Sequence, residues 1–195
     1  MNSQLLLKTG KMGTILLVLL FSLLDFQTVS AKTVPIPVKT VQVPVAHLII
    51  PRIKVNAVIK DMGVTLAGAM AVPGNRIEVG WYSPGTRPGE VGSAVIGGHN
   101  FWNGSAVFRN LNLLKKGDVL SVVDAHGVTT SFVVRELRTF KATDSNSGIF
   151  TSENGIHLNL ITCSGVWDPK TKSYTTRLVV YTDLVQPVRL ASAIE

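Results

Sequence analysis

The sequence of 195 residues contains a single cysteine, Cys163. One cysteine excludes an internal disulfide and leaves three states for the thiol: buried and inert, bridged to another molecule, or chemically reactive. A zinc site made of histidine and cysteine needs at least three ligands, usually at close spacing. Because the four histidines are dispersed along the chain, the sequence does not favour such a site.

Charged residues are also scarce, at 16% of the chain, and no run of basic residues occurs among them. The formal net charge is +7, to which residues 1–44 contribute +3 through four lysines and one aspartate. Aromatic residues are not interleaved with lysine or arginine, so binding to nucleic acid is not indicated. A mildly basic domain suits a position beside an anionic membrane or cell wall, although the charge can equally serve solubility alone.

An apolar run near the N-terminus, residues 14–24, follows Lys8 and Lys11 and precedes the small residues of segment 29–31. A positive start, a short apolar stretch and a small-residue site are features of a secretory signal. The run is short for a membrane-spanning helix, which needs about 17–25 residues. Cleavage after Ala31 and retention as a membrane anchor therefore both stay open, and either outcome exports the rest of the chain.

Composition divides the chain into four parts. Residues 1–31 form the signal or anchor segment, and residues 32–44 contain three prolines, which exclude a helix and favour an extended linker. Residues 45–187 form one domain, long enough to bury a core without disulfides or a metal. Residues 188–195 form a C-terminal tail.

The domain consists of short segments rich in β-forming residues and bounded by turn residues. Strands are predicted at residues 47–53, 55–60, 93–98, 118–124, 129–140, 157–162 and 175–182. The clearest helical stretch is residues 106–114, because its apolar residues recur at helical spacing. About seven or eight strands with one or two short helices predict a mainly β fold, either a closed barrel or a sandwich.

Three predicted strands carry residues suited to chemistry. His99 follows an apolar strand and two glycines, Cys163 ends a second strand, and Arg177 lies within a third. Such a set suits acyl transfer, in which a thiolate attacks a carbonyl, an imidazole protonates the leaving amine and a guanidinium binds the developing oxyanion. Taken singly, each residue also has a structural interpretation: a buried small side chain, a packing histidine and one half of an ion pair.

Strand alternation tests whether the cysteine and the arginine can meet. Leu158 and Leu160 share one face of their strand, and Cys163 belongs to the other face. Leu178 likewise lies on the opposite face from Arg177. If the leucine faces point into a barrel core, Cys163 and Arg177 both lie on its outer surface, although alternation alone does not make their strands neighbours.

The order of these residues resembles the sortase family. The segment 160–163 has the sequence LITC and ends on Cys163, and Arg177 follows fourteen positions later, as 177 − 163 gives. The segment 97–100, GGHN, resembles the small residues that precede the histidine in this family. The likeness covers about residues 46–184.

The resemblance implies an eight-stranded sortase-type β-barrel in an extracellular, membrane-tethered enzyme. By position, Cys163 would be the nucleophile that carries a thioacyl intermediate, His99 the acid/base partner, and Arg177 the residue that binds the oxyanion or positions the substrate. No metal or organic cofactor is needed for this chemistry. Some members bind calcium, but the acidic residues of this chain form no clear cluster.

Three further residues are predicted to bind substrate. Thr162 precedes the cysteine, and Asn100 follows the histidine. Trp167 lies in the segment between Cys163 and Arg177, where it would either form a wall of the substrate groove or shield the packing of a loop.

Substrates of the family are exported proteins with a C-terminal LPxTG-like signal, which is cut between Thr and Gly. The acceptor is an amine of a peptidoglycan precursor or a pilin lysine, so a Gram-positive cell envelope is the expected setting. The chain has Asn159 where the family often has threonine, which leaves the subclass open, with class F the most similar. The alternatives are a sortase-fold protease that uses water and a non-catalytic envelope-binding domain.

Overall fold

The structure, a computed structural model, describes residues 45–101, 104–144, 147–152 and 154–186. The predicted signal or anchor, the proline-containing linker and the C-terminal tail lie outside these residues. Within the described ranges, no helix combines the length and the hydropathy needed to cross a bilayer.

The described residues form eight strands that close into a barrel in the order β1-β2-β3-β4-β7-β8-β6-β5. The strands are β1 Val45–Ile50, β2 Val55–Met62, β3 Val79–Tyr82, β4 Gly92–Gly97, β5 Val119–Asp124, β6 Thr129–Lys141, β7 Ile156–Asp168 and β8 Ser173–Leu184. Neighbouring strands are antiparallel except for the parallel pairs β2–β3 and β4–β7. The prediction of a mainly β closed barrel is confirmed.

Each of the seven predicted strands corresponds to an observed strand, but β3 was not predicted. This strand has four residues, and Gly80 weakens its β pattern. A Cβ atom at Gly80 would clash with the Cγ atom of Met62, so the glycine allows β3 to approach β2. The predicted first strand is also shorter than expected, because Pro51 begins a 3-10 helix, Pro51–Ile53, after Ile50.

The helix predicted at residues 106–114 is wrong. This segment consists of turns and a short 3-10 helix, Leu111–Leu113. Its buried residues are Phe108, Leu111 and Leu114, which recur every three residues. The amide of Leu111 donates to the carbonyl of Phe108, and that of Leu114 donates to the carbonyl of Leu111. The apolar spacing therefore belongs to a 3-10 turn rather than to an α-helix.

The barrel core and a second apolar cluster lie on opposite faces of β4, β7 and β8. Leu158, Leu160 and Val180 are fully buried in the core cluster. Val95 and Val179 belong instead to the second cluster, on the outer face, together with Ile149 of the 3-10 helix Ser147–Ile149. The outer face of these three strands is thus covered by the connection between β6 and β7.

Gly98, which follows β4, is expected to tolerate no side chain, because a Cβ atom there would lie 2.7 Å from a ring carbon of Phe108 and 2.9 Å from Val107. Replacement Gly98→Ala should lower the free energy of unfolding by about 1–3 kcal/mol through overpacking. Urea denaturation measures the loss. Gly74→Ala is the control, since nothing lies within 4 Å of its added Cβ. Equal stability of the two variants would contradict this packing.

Candidate active site

The three predicted catalytic residues lie on or directly after three neighbouring strands, β4, β7 and β8. β4 and β7 are parallel, with Gly97 opposite Ile161. His99 is two residues beyond Gly97, and Cys163 is two residues beyond Ile161, so the pairing brings both to the same level. Neighbouring strands are about 4.8 Å apart, which puts the histidine segment beside the cysteine.

Cys163 and Arg177 are direct partners in the antiparallel pairing of β7 with β8. Residues directly opposite each other point to the same face, with Cβ atoms about 4.5–5.5 Å apart. Both side chains are half-buried, and the core leucines of their strands point inward. The predicted placement of both residues on the outer face is therefore observed. The pairing also shows that their strands are neighbours, which alternation alone could not show.

The strand that bears Cys163 is longer than predicted. β7 continues to Asp168 rather than ending at the cysteine, and segment 164–173 is not a loop but two strand ends joined by a turn. Gly165, with φ +80°, lies in an irregularity of the pairing between Ser164 and Trp167. Such a glycine accommodates a bulge, so it interrupts the strand pattern in the sequence without ending the strand.

The turn of this hairpin is fixed by Asp168. Its carboxyl accepts hydrogen bonds from the backbone of Lys170 and from Thr171, and these bonds hold the pKa of Asp168 below its usual value. The hairpin thus extends beyond the site, with a bulge at Gly165 and a turn held by Asp168.

His99 is held by the segment that precedes β3. Its Nε2 atom lies 2.9 Å from the carbonyl oxygen of Pro73. Since a carbonyl oxygen only accepts, Nε2 carries the hydrogen of this bond, which orients the imidazole ring. The backbone after the histidine also folds back, because the amide of Phe108 donates to the carbonyl of His99 over 2.9 Å.

The guanidinium of Arg177 is anchored to the start of its own strand. Nη1 donates to the carbonyl oxygens of Tyr174 and Thr176, both at 2.9 Å, and Nη2 donates to Oγ of Ser173 at 3.0 Å. These bonds occupy three of the five N–H donors of an arginine. Two donors are left for another acceptor beside Cys163.

Thr162 links the two strands that carry the histidine and the cysteine. It is 4% exposed, and its hydroxyl donates to the carbonyl of Gly98 over 2.8 Å. The amide of Gly98 in turn donates to the carbonyl of Ile161. The hydroxyl is therefore used within the protein, and direct contact of Thr162 with a substrate stays a prediction.

Cys163 lies where two grooves meet. The apolar groove, of about 450 Å³, contains His99, Cys163 and Arg177 together. Its remaining walls are mostly apolar and include Met70, Val72, Ile149, Phe150 and Ile161. The polar groove, of about 380 Å³, also reaches Cys163 and is lined by polar residues that include Asn100, Asn110, Asn112 and Ser164. A thiol at this junction is accessible from both sides.

The predicted substrate-binding residues differ in their relation to these grooves. Thr162 lines both grooves, and Asn100 lines the polar groove. Trp167 lines neither of them. It lies on the extended part of β7, is 51% exposed and packs edge-to-face on Tyr174, with ring centroids 5.4 Å apart. Its contact with a substrate stays a prediction.

The residues that form the walls of the apolar groove were not predicted from the sequence. Met70 and Val72 come from the segment between β2 and β3, and Ile149 and Phe150 come from the connection between β6 and β7. Asn159 holds the second wall, because its buried side-chain amide donates to the carbonyl of Ile149 over 2.7 Å. An asparagine within an apolar strand, on the same face as Cys163, is a signal in the sequence that such a bond to a neighbouring segment exists.

No group of three or more His, Cys, Asp or Glu residues is placed to hold a metal ion in the part of the chain that the structure describes. The arrangement consists of a thiol, an imidazole and a guanidinium at one end of an apolar groove. Chemically, such a set can form and resolve a thioester.

The family model described as Sortase domain matches residues 48–185. Sortase C-1 from Actinomyces oris is similar in structure, with a TM-score of 0.56 and 26% identity over 74% of this chain and 76% of that chain. Sortase A from Corynebacterium diphtheriae, a lid mutant, gives 0.57 and 23% over 75% and 73%. Sortase C1 from Streptococcus agalactiae gives 0.56 and 21% over 73% and 67%. The last two likenesses show a shared fold. No curated protein matches the chain.

Removal of the Thr162 hydroxyl is expected to disturb the histidine segment. Thr162→Val should lower the rate of peptide cleavage at Cys163 by about 10- to 100-fold, since small displacements of catalytic groups have large effects on rate. Thr182→Val is the matched control, because Thr182 is equally buried and donates to the carbonyl of Leu158 over 2.7 Å. Thermal melts should show similar destabilisation of both variants, and equal activity losses would contradict the positioning role.

Proposed function

The chain belongs to the sortase family, and we propose that it is an active cysteine transpeptidase that cleaves a sorting signal on another protein and joins the product to an amine. The observation that carries the proposal is the direct pairing of Cys163 with Arg177 on neighbouring strands. His99 lies on the other side of Cys163, and all three side chains line the apolar groove.

In the first step, the thiolate of Cys163 attacks the carbonyl carbon of the scissile peptide bond. A carbon–sulfur bond forms and the carbon–nitrogen bond breaks, so a thioester stays on the enzyme and an amine leaves. The departing amine takes its proton from the imidazole of His99, whose ring is oriented by the bond from Nε2 to the carbonyl oxygen of Pro73. The two donors of Arg177 that the hairpin leaves unused are suited to bind the oxyanion or a neighbouring substrate carbonyl.

The apolar groove suits the part of the substrate on the acyl side of the cut. Met70, Ile149 and Phe150 offer apolar contacts to a hydrophobic side chain. We propose an LPxTG-like signal, cut between Thr and Gly, as the donor. Substrate-binding roles of Thr162, Asn100 and Trp167 belong to the same proposal.

In the second step, an amine attacks the thioester, an amide forms and the thiol leaves. The polar groove supports this step, because it also reaches Cys163, shares of the described residues only Thr162 and Cys163 with the apolar groove, and offers amide and hydroxyl groups. The proposed acceptor is the amine of a peptidoglycan precursor or another amine of the cell envelope. Water in the same position would give a protease instead.

The proposed setting is the outer side of the cytoplasmic membrane. Residues 1–31 would export the domain and either anchor it or be removed, which would release a secreted enzyme. Assignment to class F is part of this proposal.

Activity is expected to depend on all three residues. With a quenched LPxTG-type peptide, Cys163→Ala should abolish cleavage, and His99→Ala and Arg177→Ala should lower kcat/KM by about 100-fold or more. Matched controls are His126→Ala, in an exposed turn, and Arg138→Ala, on an exposed part of β6. The controls should retain the rate of the unmodified chain.

The chemical nature of the product shows whether an amine or water is the acceptor. Formation of an amide with an added amine would establish transpeptidation, whereas cysteine-dependent cleavage that gives only the acid would establish a protease. If no peptide in a panel of sorting signals is cleaved and Cys163 does not react with iodoacetamide, the catalytic proposal is wrong and a binding domain takes its place.

A further inference from the structure

A third groove, of about 430 Å³, is lined by charged residues of one sign only, which is positive. Among the residues that the structure describes, three cationic side chains line it, Lys54, Arg76 and Arg109, and no carboxylate does. We call it the basic groove. Its neutral lining includes Asn56, Ser105 and Asn110, which supply further hydrogen-bond donors. The three cationic residues are exposed, so their side chains are accessible to a ligand from solvent.

These cations have no ion-pair partner within the described ranges. The acidic residues nearest in sequence to the two arginines are engaged elsewhere, since Glu78 pairs with Lys60 at 3.7 Å and Asp118 with Arg52 at 4.0 Å. Arginines of the barrel wall behave differently: Arg135 and Arg138 of β6 both have carboxylate partners. The basic groove therefore keeps a local charge that the protein itself does not neutralise.

The two arginines are held on segments that are joined to each other. The amide of Val107 donates to the carbonyl of Arg76 over 2.8 Å, which links the segment before β3 to the segment after His99. Phe108, fully buried, fixes the chain beside Arg109, and the guanidinium of Arg109 lies 5.8 Å from the ring centroid of Phe101. The backbone positions of the two arginines are thus set by the fold.

The basic groove is continuous with the polar groove. Arg109 and Asn110 line both, and the polar groove extends from them to Cys163. A ligand that lies along the two grooves can place one end at the thiol and the other among the three cations.

We propose that the basic groove binds a phosphate or pyrophosphate group carried by the amine acceptor. This inference rests on the proposed function, because it assigns the acceptor to the polar and basic grooves. Guanidinium groups pair with phosphate oxygens through two parallel hydrogen bonds, and three cations match the charge of a phosphate or pyrophosphate better than that of a single carboxylate. An acceptor of this class would be oriented with its amine toward Cys163.

Binding of inorganic pyrophosphate to the full chain in a non-ionic detergent tests the groove without catalysis. Isothermal titration should show saturable binding that Arg76→Ala and Arg109→Ala each weaken by about 10-fold or more. Lys116→Ala, the same loss of charge on an exposed residue outside all three grooves, should leave it unchanged. Cys163→Ala should also bind normally. Absence of binding, or equal weakening by Lys116→Ala, overturns the proposal.

Vesicles separate an acceptor phosphate from a membrane phosphate. If vesicles of phosphatidylglycerol bind the chain through Arg76 and Arg109 while pyrophosphate does not, the groove is a membrane contact and the proposal is wrong. Vesicles of phosphatidylcholine control for the apolar N-terminal segment.

Transfer kinetics test the assignment to the acceptor. Two acceptors with the same amine, one with a pyrophosphate group and one without, should differ in KM with the unmodified chain. Arg76→Ala should remove that difference and leave cleavage of the sorting peptide unchanged, and a persisting difference overturns the proposal. If the unmodified chain cleaves no sorting peptide, the proposed function fails and the assignment to an amine acceptor fails with it, and pyrophosphate binding then decides only whether the basic groove is a phosphate site.

Discussion

The pairing of β4, β7 and β8 is the constraint on which the site depends. β4 and β7 run parallel, so the ends of both strands meet at one edge, and β8 returns antiparallel beside Cys163. The hydroxyl of Thr162 and the absence of a side chain at Gly98 fix the approach of the histidine segment. A shift of one residue in either pairing would turn a side chain to the other face and separate Cys163 from its neighbours.

Barrel closure gives these three strands two different surfaces. Their inner faces belong to the core, and their outer faces carry the thiol, the guanidinium and a small apolar cluster. Segments from elsewhere in the chain then build walls on that outer surface, with Asn159 tying one of them to β7. The apolar and polar grooves both reach Cys163 and otherwise have different linings apart from Thr162, which suits a reaction with two successive substrates.

Local pattern was sufficient for most of the strands and for the faces of Cys163 and Arg177, because these depend on period-two alternation. It left a barrel and a sandwich both open, and only the resemblance to the sortase family implied the barrel. Local pattern failed where long-range packing determines whether a segment forms a strand. β3 is a strand because Gly80 lets it lie against Met62, and β7 passes through Gly165 as a bulge. The groove walls were not predictable, since Met70 and Phe150 come from connections whose positions only the closed barrel sets. The buried Asn159 was visible in the sequence, but its partner was not.

The most direct test of the account is the mass of the full chain after incubation with an LPxTG-type peptide in the absence of an added amine, with an acid quench at several times. We expect a species heavier by the acyl half of the peptide, mapped by digestion to Cys163 and removed by hydroxylamine. Two results together would contradict the thioester mechanism. One is cleavage at an unchanged rate after Cys163 has been alkylated, and the other is the absence of an acyl adduct on Cys163 at every time when the unalkylated chain is used.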